Sequence, residues 1–536
     1  MARLEAPDFG GLIHFPTPPQ TDLAMEVEAS PLGEWRAARA QDGLGSSGHG
    51  LRPPNLLPFQ VDCAWLLHGT CQLGRKRGMA FCPTPDDFFQ SSEPIYISTS
   101  SDWMRFLGEI EKSVRSKLRF FSPKGPSPIN REVNIFQIFP TPQELKNSVN
   151  GSKGLLKLAP TEVLTISGYG NWTDSGWTLR FRGSVYKQPN ISNHMLHALA
   201  SLFLLGASLK KFPPAHYAHA LNTTRSVLMI KQSHSKVSFH VTPDMDQDAA
   251  GAGLEGIPID GLNIDIPGLT NLEGDFDSFI EIRNVSGAFP IPGNETRKTQ
   301  RLKLYSRGTD TGNSTAYLIP PEGLTLISDI DDVLRVSKIF SIQEGLANLF
   351  GRPFFPWMNM PEIFANWSHS LPDLHFHYLT TSPEQLTRPY MDYIFRTYPV
   401  GSFDTRIVNL TDLKATWAIR EFLLDKIFQT FPKRKFIIVG DTTNLDIMSG
   451  YPQLVTKYPG QVQCIFLRNT SATDSANRVP YNTKGFKGLD QQMFMFFRVP
   501  DDLKGLDIEN GNCYNESVPQ NLTFGWQGLP LGGGPP

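Results

Sequence analysis

The sequence predicts an α/β domain with a Rossmann-like parallel sheet, preceded by a β-rich accessory domain of sandwich or barrel type. From residue 321 onward, nearly continuous apolar strands alternate with helical segments, which is typical of a parallel sheet covered on both faces. Between residues 160 and 320, apolar side chains instead recur at every second position, which favours strands with one buried face. The predicted segments are a poorly structured N-terminal segment (1–94), a helix with the β-rich domain (95–320), the α/β domain (321–475) and a C-terminal extension packed on it (476–536).

Residues 1–94 are rich in Pro and Gly and lack a sustained period, so we assign no fold to them. A helix is predicted over 103–118, where apolar residues recur at helical intervals. In the first strand of the β-rich domain, Arg180 and Arg182 lie on the face opposite the apolar residues. The predicted strands are 177–186, 236–241, 278–285 and 301–305, with a helix near 192–211.

Four apolar strands separated by helices predict the α/β domain. The helix before the third strand has apolar residues at helical spacing, so we expect a buried stripe along one of its faces. Sheets of this kind place their functional residues just beyond the carboxyl ends of the strands. The strands are 324–328, 375–380, 435–439 and 462–467, and the stripe is Leu423, Leu424, Ile427, Phe428 and Phe431.

Polar side chains follow three of these strands. Asp329, Asp331 and Asp332 come directly after the first strand. The Thr-Thr-Ser run 380–382 follows the second, and the segment 441–446, which begins and ends with Asp, follows the third. We therefore expect two acidic clusters and one hydroxyl cluster to converge on one edge of the sheet.

The chemistry of this edge follows from its residue types. Crowded carboxylates repel one another unless a cation neutralises them, and Mg²⁺ accepts one or two carboxylates while keeping positions for water and phosphate oxygens. An Asp can attack phosphorus to form an aspartyl-phosphate, and a second Asp two residues later can protonate the leaving oxygen and then activate water. Small hydroxyl residues and their backbone amides can hold phosphoryl oxygens. The pattern predicts Mg²⁺-dependent phosphoryl transfer.

Three motifs in this order resemble those of the haloacid dehalogenase superfamily of phosphotransferases. DIDDV matches its first motif, DxDx(T/V), HYLTTS matches the second, a strand ending in Thr or Ser, and GDTTNLD matches the fourth, GDxxxxD. The stretches ISDIDDVLR, YLTTSPEQL, FPKRKFIIVGDTTNLD and QVQCIFLRNTSATD further resemble the fungal actin-patch-associated phosphatidate phosphatase family, over roughly residues 321–515. This resemblance implies a haloacid dehalogenase-type fold, Mg²⁺-dependent hydrolysis of phosphatidate to diacylglycerol and phosphate, a phosphorylated lipid substrate at a membrane surface, and actin-associated partners.

The resemblance also implies roles for individual residues. Asp329 would be the nucleophile, and Asp331 would be the general acid and base. The implied metal ligands are Asp329, Asp331 through its backbone carbonyl, Asp441 and Asp446, and the implied phosphate-binding residues are Thr380, Thr381, Arg420 and Lys414.

Two positions depart from the family's pattern. Val333 stands where the family usually has Thr, and the third-motif lysine, a cation that steadies the phosphoryl group, has no direct counterpart. Lys414, Arg420 and Lys426 are the basic residues near that position, and Arg is not a simple replacement for Lys. Two alternatives therefore stay open: a non-catalytic or weakly active scaffold with a vestigial phosphatase domain, and a phosphatase for soluble phosphomonoesters.

The segment 351–367 is dense in Phe, Trp, Met and Pro. An exposed apolar patch there, with Phe354, Phe355 and Trp357, would let an enzyme approach a lipid headgroup. The other interpretation is that these residues close the core under a small lid. His375 and His377 alternate within a strand, so we expect both to be packed rather than catalytic.

Composition excludes some classes of partner. With 50 Lys and Arg against 52 Asp and Glu, the net charge of −2 gives no field that would attract nucleic acid. The apolar stretch 195–209 is too short for a membrane span and carries His197, so it predicts a buried helix in a protein peripheral to membranes.

Sequons and cysteines predict a secretory-route or extracellular glycoprotein. Twelve Asn-X-Ser/Thr sites occur, although the first residues lack a signal-peptide pattern, so we expect the true start to be absent, with a cytoplasmic location as the alternative. Of the five cysteines, Cys464 and Cys513 are the pair we expect to form a disulfide in an oxidising compartment. The sequons are Asn150, Asn171, Asn190, Asn222, Asn284, Asn294, Asn313, Asn366, Asn409, Asn469, Asn515 and Asn521.

Overall fold

The computed structural model describes residues 108–117, 144–145, 156, 159–244, 261–283, 289–339, 341–406, 419–470 and 483–520. The predicted segment 1–94 and the candidate Lys414 lie outside the described residues. Two sheets form within them, a nine-stranded sheet that is mostly antiparallel and a six-stranded parallel sheet. A β-rich region followed by an α/β region with a parallel sheet is therefore confirmed, whereas the sandwich or barrel architecture of the first stays a prediction.

The predicted helix at 103–118 is observed over its described part, 108–117, here called α1. Its residues Ile110 and Val114 are buried, as their helical spacing predicts.

The nine-stranded sheet is organised around one long strand. Its strands are β1 (Thr161–Ile166), β2 (Tyr169–Thr173), β3 (Gly176–Lys187), β4 (Ile230–Lys231), β5 (Ser238–Pro243), β6 (Leu262–Asp265), β7 (Asp275–Ile282), β8 (Gln300–Ser306) and β9 (Ser314–Ile319). The order along the sheet is β1-β3-β2-β9-β8-β5-β6, and β4 and β7 also pair with β3. Because β3 pairs with four strands along its length, both of its edges are satisfied.

The two faces of β3 have different partners. Leu179 and Phe181 join an apolar core with residues of the other strands, and Phe181 stacks 5.3 Å from Phe239 of β5. Arg180 and Arg182 point to the opposite face, as predicted, and there they are buried as well. A buried guanidinium needs a partner, so this face must meet acidic groups.

Two helices connect β3 to β4, namely α2 (Asn193–Phe203) and α3 (Pro214–Ser226). The side chain of Ser192 caps α2 by accepting a hydrogen bond from the backbone N–H of Met195. The helix predicted near 192–211 ends early, because Gly206 follows it with φ 89°, a conformation that favours glycine. The second helix was not predicted, and Pro214 at its first position marks its start.

The parallel sheet contains β10 (Leu324–Asp329), β11 (His375–Pro383), β12 (Ser402–Arg406), β13 (Lys435–Asp441), β14 (Val462–Arg468) and β15 (Phe494–Phe497). Its order is β12-β11-β10-β13-β14-β15, and all neighbours are parallel. The four predicted strands are confirmed, and each extends further at its carboxyl end than predicted. Strands β12 and β15 were missed because they are short.

Helices follow or precede these strands, as an α/β arrangement requires. They are α4 (Ile342–Leu346), α5 (Met360–Ser370), α6 (Thr387–Thr397), α7 (Ile419–Thr430) and α8 (Leu445–Lys457), with a π-helical turn at Ala347–Gly351. The stripe predicted on α7 is buried in the core on one side of the sheet, so that prediction is confirmed.

The two sheets meet across buried ion pairs. Asp404 on β12 forms ion pairs with both Arg180 and Arg182 of β3. Nearby, His375 and His377 both hydrogen-bond the hydroxyl of Ser402 at 2.8 Å. Burial, with the charges of Arg180 and Arg182, lowers the pKa of His377 to about 3, so this histidine is neutral and packed, as predicted.

The chain beyond β14 is tied back to the parallel sheet. Cys464 on β14 forms the predicted disulfide with Cys513, with their Cα atoms 5.6 Å apart. Strand β15, which lies in the predicted C-terminal extension, adds to the edge of the sheet beside β14. Among the helices in the described ranges, none combines the length and the apolar character needed to cross a bilayer.

Candidate active site

The carboxyl ends of three neighbouring strands bring the predicted residues together. Asp329 ends β10, and the register pairs it with Leu379 of β11, directly before Thr380. Asp441 ends β13, which pairs with β10 on the other side. The convergence that the sequence predicts is therefore observed, and Asp329 lies between the other two positions.

Asp329 is a buried carboxylate in an environment that disfavours its charge. Its Oδ1 accepts a hydrogen bond from the backbone N–H of Ile330 at 2.9 Å. Its Oδ2 accepts none from the described residues but lies 3.1 Å from the guanidinium of Arg420. Burial, together with the charges of Asp441 and Asp331, raises the pKa of Asp329 to about 8, although Arg420 opposes the shift.

Hydroxyl groups surround the side chain of Asp331. Tyr390 of α6 donates to both carboxylate oxygens at 2.9 and 3.1 Å, and Ser382 donates to Oδ2 at 3.1 Å. Thr380 lies 3.4 Å from the same oxygen and also bonds to Ser382. A hydroxyl can donate to an ionised carboxylate or accept from a protonated one, so this cage accommodates both forms of Asp331.

The third acid of the first motif, Asp332, organises the loop that follows. Its carboxylate accepts hydrogen bonds from the backbone N–H groups of Ser337, Lys338 and Ile339, at 3.0, 2.9 and 3.3 Å. Its own N–H donates to the hydroxyl of Ser337, and its backbone is left-handed, with φ 54°. Asp332 therefore stabilises the conformation of this loop, and its carboxylate is used in hydrogen bonds with the loop backbone.

Asp441 is held by the turn that follows β13. Its Oδ1 accepts from the backbone N–H of Thr443 at 2.6 Å and from the hydroxyl of the same residue. Its Oδ2 accepts from the side-chain amide of Asn444. Burial and the charge of Asp332 raise the pKa of Asp441 to about 6, so a second carboxylate at this edge also lacks full neutralisation.

Arg420 joins the acids from the start of α7. Its Nε donates to Asp446 at 2.8 Å, and its Nη2 lies 3.1 Å from Asp329. Burial opposes its charge, but Asp329 and Asp446 raise the pKa of Arg420 well above its usual range. Its Nη1 has no hydrogen-bond partner of good geometry among the described residues.

The donor set fits a divalent cation that takes part of its ligands from elsewhere. In the described ranges, no three His, Cys, Asp or Glu side chains are gathered as a complete metal cluster. Asp329 and Asp441 are nevertheless neighbouring, buried carboxylates with raised pKa, and Asp329 keeps an unpartnered oxygen. Two carboxylates with remaining positions for backbone oxygen, water and phosphate suit Mg²⁺.

The predicted residues differ in how they are placed. Asp329, Asp331, Asp441 and Thr380 converge, and Thr381 is half-buried next to them. Asp446 forms an ion pair with Arg420.

Sequence reasoning missed Tyr390 and Arg468. Tyr390 lies on a helix without a motif, 59 residues after Asp331, so no local signal indicates it. Arg468 ends β14 and donates to the backbone carbonyl of Asp332 at 2.7 Å. The rule that functional residues follow the carboxyl ends of strands could have identified Arg468.

Comparisons with known proteins agree with this geometry. Residues 324–469 match the family described as phosphatidate phosphatase APP1, catalytic domain. The chain is also 27% identical over 172 residues to phosphatidate phosphatase APP1 of Saccharomyces cerevisiae, a match that covers 31% of this chain and 29% of that protein. The chain thus spans less than a third of the length of the curated relative that it matches. By its motifs and by this match, the segment 324–469 resembles the catalytic domains of APP1-type phosphatidate phosphatases, a family of phosphoric monoester hydrolases.

Proposed function

We propose that this chain is a Mg²⁺-dependent phosphatidate phosphatase of the haloacid dehalogenase type, which releases diacylglycerol and phosphate. The observation that carries the proposal is the buried Asp329, whose free oxygen lies beside a guanidinium and two further carboxylates at the carboxyl edge of a parallel sheet. The match of residues 324–469 to the APP1 catalytic family supports the substrate class.

Asp329 would act as the nucleophile. Its Oδ2 attacks phosphorus while the bond from phosphorus to the diacylglycerol oxygen breaks, which leaves an aspartyl-phosphate. Arg420 favours the ionised, nucleophilic form of Asp329, and its positive charge beside Asp329 would attract a phosphoryl oxygen of the substrate.

Asp331 would transfer the protons. In its protonated form it gives its proton to the departing diacylglycerol oxygen, and in its ionised form it takes a proton from the water that attacks the aspartyl-phosphate. This second attack releases inorganic phosphate and restores Asp329. The hydroxyls of Ser382, Thr380 and Tyr390 hold the carboxyl group in one orientation through both steps.

Asp329 and Asp441, with the backbone carbonyl of Asp331, would hold Mg²⁺. The bound ion supplies positive charge that offsets the repulsion between the carboxylates and the phosphoryl group.

The test is phosphate release from phosphatidate vesicles and from a soluble aryl phosphate, with Mg²⁺ or with EDTA. We expect Mg²⁺-dependent hydrolysis of phosphatidate, abolished by EDTA. Asp425→Asn serves as a control for Asp329→Asn, because the carboxylate of Asp425 contacts Lys457 and Tyr458 and none of the residues of the candidate site; it should keep activity. Hydrolysis of the soluble ester alone would favour a phosphatase for soluble phosphomonoesters, and a folded protein inactive on both substrates would favour the scaffold.

We also propose that the protein enters the secretory route. The disulfide between Cys464 and Cys513 supports an oxidising compartment. Five sequon asparagines are exposed, whereas Asn469 is buried and cannot accept a glycan in the folded protein. Treatment of native protein with a glycosidase should reduce its apparent mass, and an unchanged mass would contradict the proposal. The exposed sites are Asn190, Asn222, Asn294, Asn313 and Asn366.

A further inference from the structure

Two neighbouring segments expose apolar and basic side chains beside the candidate site. The first is the connection 204–213 between α2 and α3, and the second is the segment 351–359 before α5. We call their exposed side chains the docking surface. It consists of Leu205, Lys210, Lys211, Arg352, Phe355 and Met358.

Direct contacts join these segments. A Cβ placed on Gly351 would lie 3.2 Å from the side chain of Leu204 and 3.5 Å from the ring of Phe212. The rings of Phe203 and Phe350 stack at 4.7 Å. The two segments that carry the docking surface are therefore neighbours in the fold.

Two side chains of the second segment, Phe354 and Trp357, pack against residues of the candidate site. Phe354 lies under the guanidinium of Arg335 at 3.9 Å and against the ring of Tyr390, which holds Asp331. Trp357 is 5% exposed and stacks with Arg468 at 3.7 Å. Phe354 and Trp357 are thus packed against the core, so the expectation of an exposed patch was wrong for these two residues, and contact with a lipid stays a prediction.

The residue that follows each anchor points outward. Phe355 is 66% exposed and Met358 is 59% exposed. Met358 has φ 50°, a conformation that L-residues adopt only where the surroundings impose it. Rigidly presented apolar side chains at the rim of a site indicate a contact surface for an apolar or interfacial partner.

The charge of the docking surface indicates which partner. Neither 204–213 nor 351–359 contains an acidic residue. Lys210 and Lys211 are exposed and form no ion pair with any described residue, while Arg352 lies 3.6 Å from Glu344. Apolar side chains flanked by lysines suit the boundary between the acyl chains and the anionic headgroups of a bilayer.

We propose that the docking surface binds an anionic lipid bilayer and so holds the candidate site against the membrane. This proposal deepens the proposed function and rests on it, because the bilayer would contain the substrate. Vesicle binding nevertheless tests it independently, since binding can be measured without measuring phosphatase activity. Phe355 and Met358 enter the interface, and the two lysines contact headgroups.

The experiment measures co-sedimentation of the full chain with vesicles of phosphatidylcholine, alone or with phosphatidylserine or phosphatidate. Phe355→Ser/Met358→Ser is compared with the control Phe422→Ser/Leu272→Ser, which removes two apolar side chains of similar exposure, 59% and 75%, elsewhere on the chain. We expect at least a tenfold loss of affinity for both anionic vesicles in the first variant and none in the control. Lys210→Ser/Lys211→Ser should weaken binding and reduce its dependence on salt.

Several results would overturn the proposal. One is equal vesicle binding by the docking-surface variant and the control variant, and another is no binding of wild type to any vesicle. A third is a wild-type dimer that dissociates in the docking-surface variant, which would show that a second copy of the chain covers the surface.

Hydrolysis of a short-chain, water-soluble phosphatidate separates the two proposals. If it is normal in a variant that no longer binds vesicles, both stand; if it is absent in wild type while vesicle binding follows the docking surface, only the proposed function fails.

Discussion

Two buried charged clusters, one between the sheets and one at the candidate site, differ in their balance of charge. The cluster between the sheets has four cations and four acids, and each takes part in an ion pair. At the candidate site, Asp329, Asp331, Asp332, Asp441 and Asp446 face mainly Arg420 and Arg468. The members of the first cluster are Arg180, Arg182, Lys231, Lys426, Asp275, Asp277, Asp404 and Glu384.

This difference separates a structural role from a functional one. A buried charge that is held in an ion pair is costly to disturb, whereas buried carboxylates that outnumber the neighbouring cations favour the uptake of protons or of a cation. The pKa of Asp329, raised to about 8, shows that excess. Removing one acid should therefore have opposite effects on folding in the two clusters.

The largest expected effect is the loss of activity in Asp329→Asn. Removing the nucleophilic oxygen should lower phosphatidate hydrolysis by at least about 10³-fold. The melting temperature without Mg²⁺ should stay the same or rise, because the substitution removes one of the repelling carboxylates. Calorimetry beside the activity assay checks this, and a fall of many degrees would show that Asp329 is a structural partner of Arg420 instead.

The next effect is the destabilisation expected in Asp404→Asn. The change leaves Arg180 and Arg182 buried without their shared carboxylate, which should cost about 3–5 kcal/mol of unfolding free energy. Urea unfolding measures the loss. Asp277→Asn is the matched control, because this acid is partly exposed and water can replace it; an equal loss in both variants would contradict the argument from burial.

A smaller effect is expected where the two clusters meet. Lys231 of β4 forms ion pairs with Asp275 and with Glu384, which lies two residues after the hydroxyl run of β11. Lys231→Met should loosen that run around Asp331 and lower kcat about tenfold, with little change in KM. Lys231→Arg should restore most of the rate, and a rise in KM alone would argue against positioning.

The sequence allowed the reacting edge to be predicted because its residues follow strands. Asp329, Thr380 and Asp441 are each a few residues from an apolar run, so the geometry of a parallel sheet brings them together whatever the loops do. Arg420 could be proposed as the substitute for the missing lysine, and its contact with Asp329 supports that choice.

The partners between the sheets could not be predicted. Arg180 and Asp404 are 224 residues apart, and neither belongs to a local pattern that indicates the other. The role of Tyr390 could not be predicted either, because a tyrosine on the buried face of a helix occurs in many protein cores and does not indicate a contact with an acid. Contacts of this kind depend on how the two sheets pack against each other. The spacing of apolar residues predicts helices and strands but not this packing.

The smallest expected effect is a dependence of stability on pH that arises between the sheets. Burial and the charge of Glu384 raise the pKa of Asp275 to about 7, although Lys231 opposes the shift. The folded state then binds a proton that the unfolded state has lost, so stability falls as the pH rises from about 4 to about 7. In Asp277 the sign is opposite: burial would raise its pKa, but the hydrogen bonds and charge of Arg180, together with Arg182 and Lys426, lower it. Urea unfolding at pH 5 and pH 8, in EDTA, should show wild type losing about 2–3 kcal/mol from this group and Asp275→Asn losing correspondingly less. The stability difference between Asp277→Asn and wild type should instead shrink progressively as the pH falls below about 4. An Asp275→Asn profile identical to that of wild type between pH 5 and pH 8 would mean that Lys231 neutralises Asp275 completely.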